Sequence, residues 1–270
     1  MSPVTTPSGA ASRRPPAVVL VLAAVAVAFV VLPFIGLLQR TPWSELGSLL
    51  TSDRALEALR LSLITSVTAT AVSVFLGVPL AWVLARVDFP GRSIVRAIVI
   101  LPMVLPPVVG GAALLFALGR RGLVGEWLDA ELGVLLPFST AGVVVAATFV
   151  AMPFLVITVE AAFRSLDVRY EDAAATLGAD RWTTFRRVTV PLLAPSLVAG
   201  AVLCWARALG EFGATITFAG NLQGRTQTLP LAVFLALEED RDAAIALSLV
   251  LVAVSLAVLV ALRDRWFSLR

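Results

Sequence analysis

The chain has 270 residues, of which 59% are hydrophobic and 14% charged, where a soluble domain carries about 25% charge. All 21 basic residues are arginine, histidine is absent, and Cys204 is the single cysteine. These counts exclude a histidine proton relay, a Ser-His-Asp triad, a zinc or thiolate cluster, an internal disulfide and the phosphate loop whose lysine holds a nucleotide, while a net charge of +3 is too small to suggest a nucleic-acid partner.

A mean hydropathy of +0.94 points to a bilayer protein. The uncharged runs are 15–39, 61–85, 97–119, 132–159, 188–206 and 243–262. Each is near or above the ~20 residues that cross a hydrocarbon core. Strict alternation is absent, and backbone groups in lipid must be satisfied internally. The expectation is therefore an all-α membrane protein with six transmembrane helices. With the N-terminus in the cytoplasm, 13 arginines fall inside and 7 outside, and Arg207 is left in a span. Positive charge favours the cytoplasmic side, so both termini are expected there.

In chain order, residues 1–16 read as a disordered cytoplasmic tail and 17–39 as the first transmembrane helix. "SRRPP" at 12–16 invites an export-signal reading. The apolar run behind it is longer than the ~7–15 residues of a signal core, so an uncleaved span is expected. Residues 40–58 lie outside, with room for a short interfacial helix. The second helix, about 59–85, carries Ser62, Thr65, Ser66, Thr68, Thr70 and Ser73. These hydroxyls either bond their own helix or face a neighbour or water.

The third helix, about 93–118, contains "LPMVLPPVVGG" at 101–111. Its prolines, Pro106 and Pro107 among them, preclude a regular helix. Freed carbonyls must then be satisfied by protein or water. A kink packed inside the bundle is expected, serving either as part of a gate or as static packing. The fourth helix, about 138–163, carries Pro153 and then Glu160. A polar hairpin follows at 164–190. Asp167 caps its first short helix and Gly178 ends it in a left-handed conformation; Asp180 caps a second through Arg187.

From physics alone the hairpin is either a docking element or an ordinary solvated loop. Its residues carry a specific resemblance. Asp172, Ala173, Ala174, then Gly178, then Val188, Val190 and Pro191 match the "EAA" loop of ABC-importer membrane subunits: E-A-A, three residues, G, about nine more, I-x-L-P. Asp172 stands where that family has Glu, with Glu171 just before it. The resemblance implies the type I importer permease fold over about 59–262. It also implies that the hairpin is a coupling element seated on a separate ATP-binding subunit. ATP and Mg would be bound there, with no cofactor on this chain.

The fifth helix starts near Pro191 and includes "CWARALGEFGATITFAGN" at 204–221. Arg207 and Glu211 stand four apart, on one helical face. With Thr215 they either line a pathway or lock the bundle. Residues 226–237 are too few to cross and are expected to be re-entrant or interfacial. The sixth helix is about 243–262. "GEFGATITFAGNLQGRTQTLPLAVF" at 210–234 resembles molybdate permease subunits, and sulfate/thiosulfate and tungstate permeases share part of it. This implies a homodimer of permease chains in the cytoplasmic (inner) membrane, two ATP-binding subunits and an extracytoplasmic molybdate-binding protein. Two readings from other classes compete. An intramembrane enzyme using Glu160, Arg207, Glu211 or serines lacks histidine, a paired-carboxylate motif and a metal signature. An ion-driven transporter would be expected to show inverted repeats, and no internal repeat is legible.

Overall fold

The computed structural model describes residues 16–266, and those residues are helical with no strand. The tail expected over 1–16 lies, but for Pro16, outside them. Two units are described separately, the first ending at Pro42 and the second running from Trp43. The first unit holds α1 (Ala17–Gln39), which has no buried residue and carries Pro33 within it. Its length and apolar character suffice to cross a bilayer.

The second unit begins with the short α2 (Leu46–Leu50), followed by α3 (Asp53–Arg86). Helix α3 starts about two turns earlier than the expected 59. Ser52 accepts a hydrogen bond from the Ala55 N–H, and Asp53 complements the dipole of the first turn. The hydroxyls along α3 resolve into two groups. Thr65, Ser66, Thr68, Thr70 and Ser73 donate to carbonyls of their own helix. Ser62 instead accepts from the Leu229 N–H at 2.6 Å.

The next apolar run is two helices, α4 (Arg92–Val104) and α5 (Pro107–Leu118), bent by 118°. Neither reaches ~30 Å at ~1.5 Å per residue. The cause is the tandem Pro106-Pro107. Leu105 is forced into extended backbone (φ −65°, ψ 140°) and Pro106 follows it (φ −53°, ψ 130°). Both prolines are exposed, and only Gly110, Gly111 and Leu114 of α5 are buried. The expected kink inside the bundle is thus a sharp turn at its surface.

A short α6 (Gly125–Leu132) precedes α7 (Thr140–Ser165), whose start is capped by Ser139. The hairpin follows as α8 (Arg169–Thr176) and α9 (Arg181–Thr184). Helix α9 does not end at Arg187. A π-helical turn (Phe185–Thr189) joins it to α10 (Val190–Leu209), so the second hairpin helix and the membrane helix are continuous. Pro191 has no N–H to donate, and the wider turn begins just before it, with the Val190 N–H bonded to the Phe185 carbonyl. The fifth span also stops earlier than expected: α10 ends at Leu209 and a separate α11 (Gly213–Phe218) follows. Last come α12 (Leu229–Glu239) and α13 (Arg241–Trp266). Among the described residues five helices can cross a membrane, and six spans result if the bent pair counts as one.

The core lies where α3, α7 and α10 meet, around Ala69, Ala81, Ala151, Leu155, Val159 and Phe163. Small residues let the helices approach. A Cβ on Gly77 of α3 would stand 3.1 Å from the Leu155 side chain, and one on Gly200 of α10 would stand 3.3 Å from it. A second cluster joins the start of α3 to α12 and α13, and a third joins α5, α7 and α11.

Candidate functional site

The hairpin is built from local hydrogen bonds at both ends of α8. Asp167 does not cap α8 as expected: Val168 holds the cap position with no side-chain cap bond, and Asp167 Oδ1 accepts from the Arg169 N–H at 3.0 Å in the turn before it. At the far end the Gly178 N–H bonds the Ala175 carbonyl and the Ala179 N–H bonds the Ala174 carbonyl. That is a Schellman closure, with Gly178 at φ +84°. A Cβ at Gly178 would meet nothing within 4 Å, so backbone conformation, not space, calls for glycine there. Asp180 caps α9 through the Thr183 N–H at 2.9 Å. Hydrogen bonds from Thr183, side chain first and backbone second, hold its carboxyl below the usual carboxylate range.

The two acids of the loop face different ways. Glu171 is half-buried, accepts from the Thr189 hydroxyl at 2.9 Å and lies 3.7 Å from Arg86 of α3. Asp172, Ala173 and Gly178 are exposed, Ala174, Val188 and Val190 are partly buried, and Pro191 is exposed. Around them stand apolar side chains left in the open: Tyr170, Leu177 at 89% exposure, and Trp182. Tyr170 and Leu177 are seven apart, hence on one helical face. Two large apolar residues at that spacing in a polar loop were the signal that sequence reading passed over. Behind the hairpin an open cavity of ≈ 680 Å³ is lined by Pro79, Trp82, Ala175, Trp182 and Phe185 among others.

A second constellation forms where α10 breaks. Glu211 lies past the helix end. Its Oε1 accepts from the Ala214 N–H at 2.7 Å, and its Oε2 stands 2.7 Å from Arg207 Nη1 at an angle outside hydrogen-bond geometry. The carboxylate is 2% exposed and the guanidinium 27%. The pair expected on one helical face therefore spans a helix end and ties α10 to α11. Thr215 is fully buried, and its hydroxyl has no hydrogen-bond partner among the described residues.

Helix α5 packs onto α11 with no room for a methyl group. A Cβ on Gly213 would lie 2.7 Å from Pro107 Cβ, and one on Gly111 would lie 2.7 Å from the Ala214 carbonyl. Pro107, Glu211 and Thr215 are thus brought to one junction of two interrupted helices. Pro106, one residue earlier, is exposed, as Pro107 is.

The stretch 220–228 is a self-bonded turn. Gly220 and Gly224 take φ +74° and +69°. The Leu222 carbonyl accepts from the N–H groups of Arg225, Thr226 and Gln227, and the Thr226 hydroxyl accepts from the Leu222 N–H. The Gln227 amide donates to Asn221 at 3.0 Å. Thr226 and Gln227 are buried.

Arg207–Glu211 is one charge pair within an expected span. A second exists. Glu160 of α7 is 6% exposed and its Oε1 lies 2.6 Å from Arg96 and 2.8 Å from Arg164. The i, i+4 spacing of Glu160 and Arg164 was legible. The partner from α4, 64 residues away, was not.

Comparisons with known proteins agree in kind. The chain is 50% identical over 221 residues to the molybdenum transport system permease protein ModB of Mycobacterium tuberculosis (strain ATCC 25618 / H37Rv), covering 81% of this chain and 83% of that one. It is 40% identical over 220 residues to the protein of the same name from Escherichia coli (strain K12), covering 82% and 96%. The sulfate transport system permease protein CysT of Escherichia coli (strain K12) is 37% identical over 202 residues, covering 75% and 73%. Among solved structures, a bacterial ABC transporter involved in the import of the acidic polysaccharide alginate superposes with a TM-score of 0.72 at 20% identity, covering 94% and 96% of the two chains. Residues 73–269 match the model of the binding-protein-dependent transport system inner membrane component, and the chain belongs to that family.

Proposed function

We propose that the chain is the membrane-spanning, non-catalytic subunit of an ATP-driven importer carrying molybdate across the cytoplasmic membrane. The observation that carries this reading is the 40–50% identity to molybdenum transport permeases over most of the chain. The sulfate permease likeness is lower in both identity and coverage. Two copies form the pathway, since closed two-fold assembly is the common solution. Both termini face the cytoplasm, following the arginine bias. Each hairpin, 164–190, docks on one of two ATP-binding subunits through Asp172, Ala173, Ala174 and the exposed Tyr170, Leu177 and Trp182. The inward Glu171, with Val188, Val190 and Pro191, joins this platform to α10, and Gly178 sets the turn. An extracytoplasmic binding protein delivers the anion.

Closure of the ATP-binding subunits moves the hairpins, and the junction of Pro106, Pro107, Arg207, Glu211 and Thr215 opens or closes in response. The ATP and Mg sites belong to the partner, consistent with a chain that has no lysine for a phosphate loop. The test is uptake of radiolabelled molybdate by proteoliposomes holding the permease, its ATP-binding subunit and its binding protein. ATP-dependent molybdate uptake is expected, with sulfate competing poorly. Sulfate uptake in place of molybdate would transfer the assignment to the sulfate class.

A further inference from the structure

Helix α4 has no buried residue, although Val95 and Val99 rest partly covered against the central core. Its apolar face toward Ile94, Ile98, Leu101 and Val104 is exposed. Apolar burial therefore holds it weakly. What fixes it is polar. Arg96 places Nε and Nη2 on one oxygen of Glu160, at 3.0 and 2.6 Å. Arg164 reaches the same oxygen at 2.8 Å. Both guanidiniums also donate to the Leu84 carbonyl, at 3.3 and 3.5 Å, and Arg92 donates to the Ala85 carbonyl at 3.5 Å.

Leu84 and Ala85 belong to the last turn of α3, whose carbonyls have no partner within the helix and carry the negative end of its dipole. The next residue, Arg86, faces Glu171 of the hairpin and donates to the Leu166 carbonyl. One helical turn thus receives the hairpin on one side and α4 on the other. Helix α4 leads directly to the break at Leu105.

We infer that Glu160 and Arg96 are positioning residues of the transport cycle. They clamp α4 to the last turn of α3, so that a displacement of the hairpin is carried to the Pro106–Pro107 bend. Glu160 collects the two arginines, and the residual positive charge sits on the carbonyl end of α3. The role in transport rests on the proposed importer reading; the clamp itself rests on the ion-pair geometry. Coupling of this kind requires an element with two arrangements that both sites bias. Helix α4, held by charge and little buried surface, is that element.

The test uses the full complex in proteoliposomes, with the lone Cys204 replaced by Ala and nitroxides on exposed Ile98 of α4 and Ile157 of α7. Uptake per ATP hydrolysed and the interspin distance are read for the parent, Arg96→Gln, Arg96→Lys and Glu160→Gln. Arg96→Gln, at a partly exposed position, guards against a folding failure of Glu160→Gln. The expected result is at least a fivefold fall in uptake per ATP and a broadened distance distribution for Arg96→Gln. Arg96→Lys should recover at least half of the ratio. The inference is overturned if Arg96→Gln keeps the parent ratio, or if uptake and ATP turnover fall in equal proportion with an unchanged distance distribution. Absence of oxyanion uptake by the parent would fail the importer reading instead. The distance distribution would then still decide the clamp, broadening supporting it and no change overturning it.

Discussion

The Thr189 hydroxyl donates to Glu171 across the hairpin at 2.9 Å, joining α8 to the π-helical turn that leads into the membrane. Thr189 is 1% exposed, so its hydroxyl has no ready exchange for water. Removing the acceptor leaves a buried donor unsatisfied, which costs about 1–3 kcal/mol. Glu171→Ala should therefore loosen α8 while leaving the α3–α7–α10 core in place. Hydrogen exchange in nanodiscs would show faster exchange over 169–178 and unchanged protection in α7. Equal exchange in α8 would remove Glu171 as the tether.

Gly178 makes a different demand. Its backbone is left-handed and its surroundings are empty. An L-residue pays about 1–2 kcal/mol for that conformation, and a β-branched one is worst placed. Gly178→Val should distort the Schellman closure and reduce co-purification of the ATP-binding subunit several-fold. Gly178→Asn should retain most of it. If Gly178→Val co-purifies and transports as the parent does, the hairpin end has no docking role.

These two residues show what was legible. The end of α8 and the start of α9 follow from local chemistry, so Gly178 and Asp180 could be read in place, whereas Asp167 falls one residue short of the cap position of α8, which Val168 holds. Long uncharged runs likewise announced α1, α3, α7 and α13. The break at Pro106 was legible as a break, but its angle of 118° and the close packing of α5 on α11 at Gly111 and Gly213 were not, since those glycines lie far apart in the sequence. The end of α10 was hidden because "RALGEFGATITF" continues as an apolar helical pattern. What ends it is Glu211 turning to cap Ala214. The Arg96–Glu160 contact, between distant helices, leaves no local pattern at all.

Asp180 supplies a prediction in pH. Its carboxyl is held below the usual range by hydrogen bonds from Thr183. A depressed carboxylate pKa stabilises the fold above the unfolded value, ~3.9, and that contribution is lost as pH falls through the lower folded value. The start of α9 should therefore be insensitive to pH between 6 and 8 and should fray only in the acid range. Amide exchange at Thr183 as a function of pH would show this. Asp180→Asn keeps an acceptor and should behave as the parent at neutral pH; Asp180→Ala should exchange faster at neutral pH and converge on the parent in the acid range. A change in Thr183 protection between pH 6 and 8 in the parent would contradict the cap.

The last prediction separates two roles for Arg207 and Glu211. Glu211 is 2% exposed and serves two groups, the Ala214 N–H and the Arg207 guanidinium. Removing one partner of a buried pair costs about 3–5 kcal/mol, because the other charge is left uncompensated. Arg207→Gln should accordingly lower the yield of detergent-solubilised protein. Glu211→Gln keeps an oxygen for Ala214 but strands Arg207, which at 27% exposure is partly relieved, so its effect should be smaller. With Arg207→Gln and Glu211→Gln together no charge is stranded and the cap persists, so yield should return. Uptake then decides. If the double variant carries the anion at the parent rate, the pair locks α10 to α11 and nothing more. If it folds but carries the anion poorly, the guanidinium offers positive potential to the passing dianion, with Glu211 preventing a trap. We expect the lock, because Glu211 is already committed to the α11 cap and is shielded from any path by its burial. Normal yield and normal uptake in Arg207→Gln alone would discard both roles.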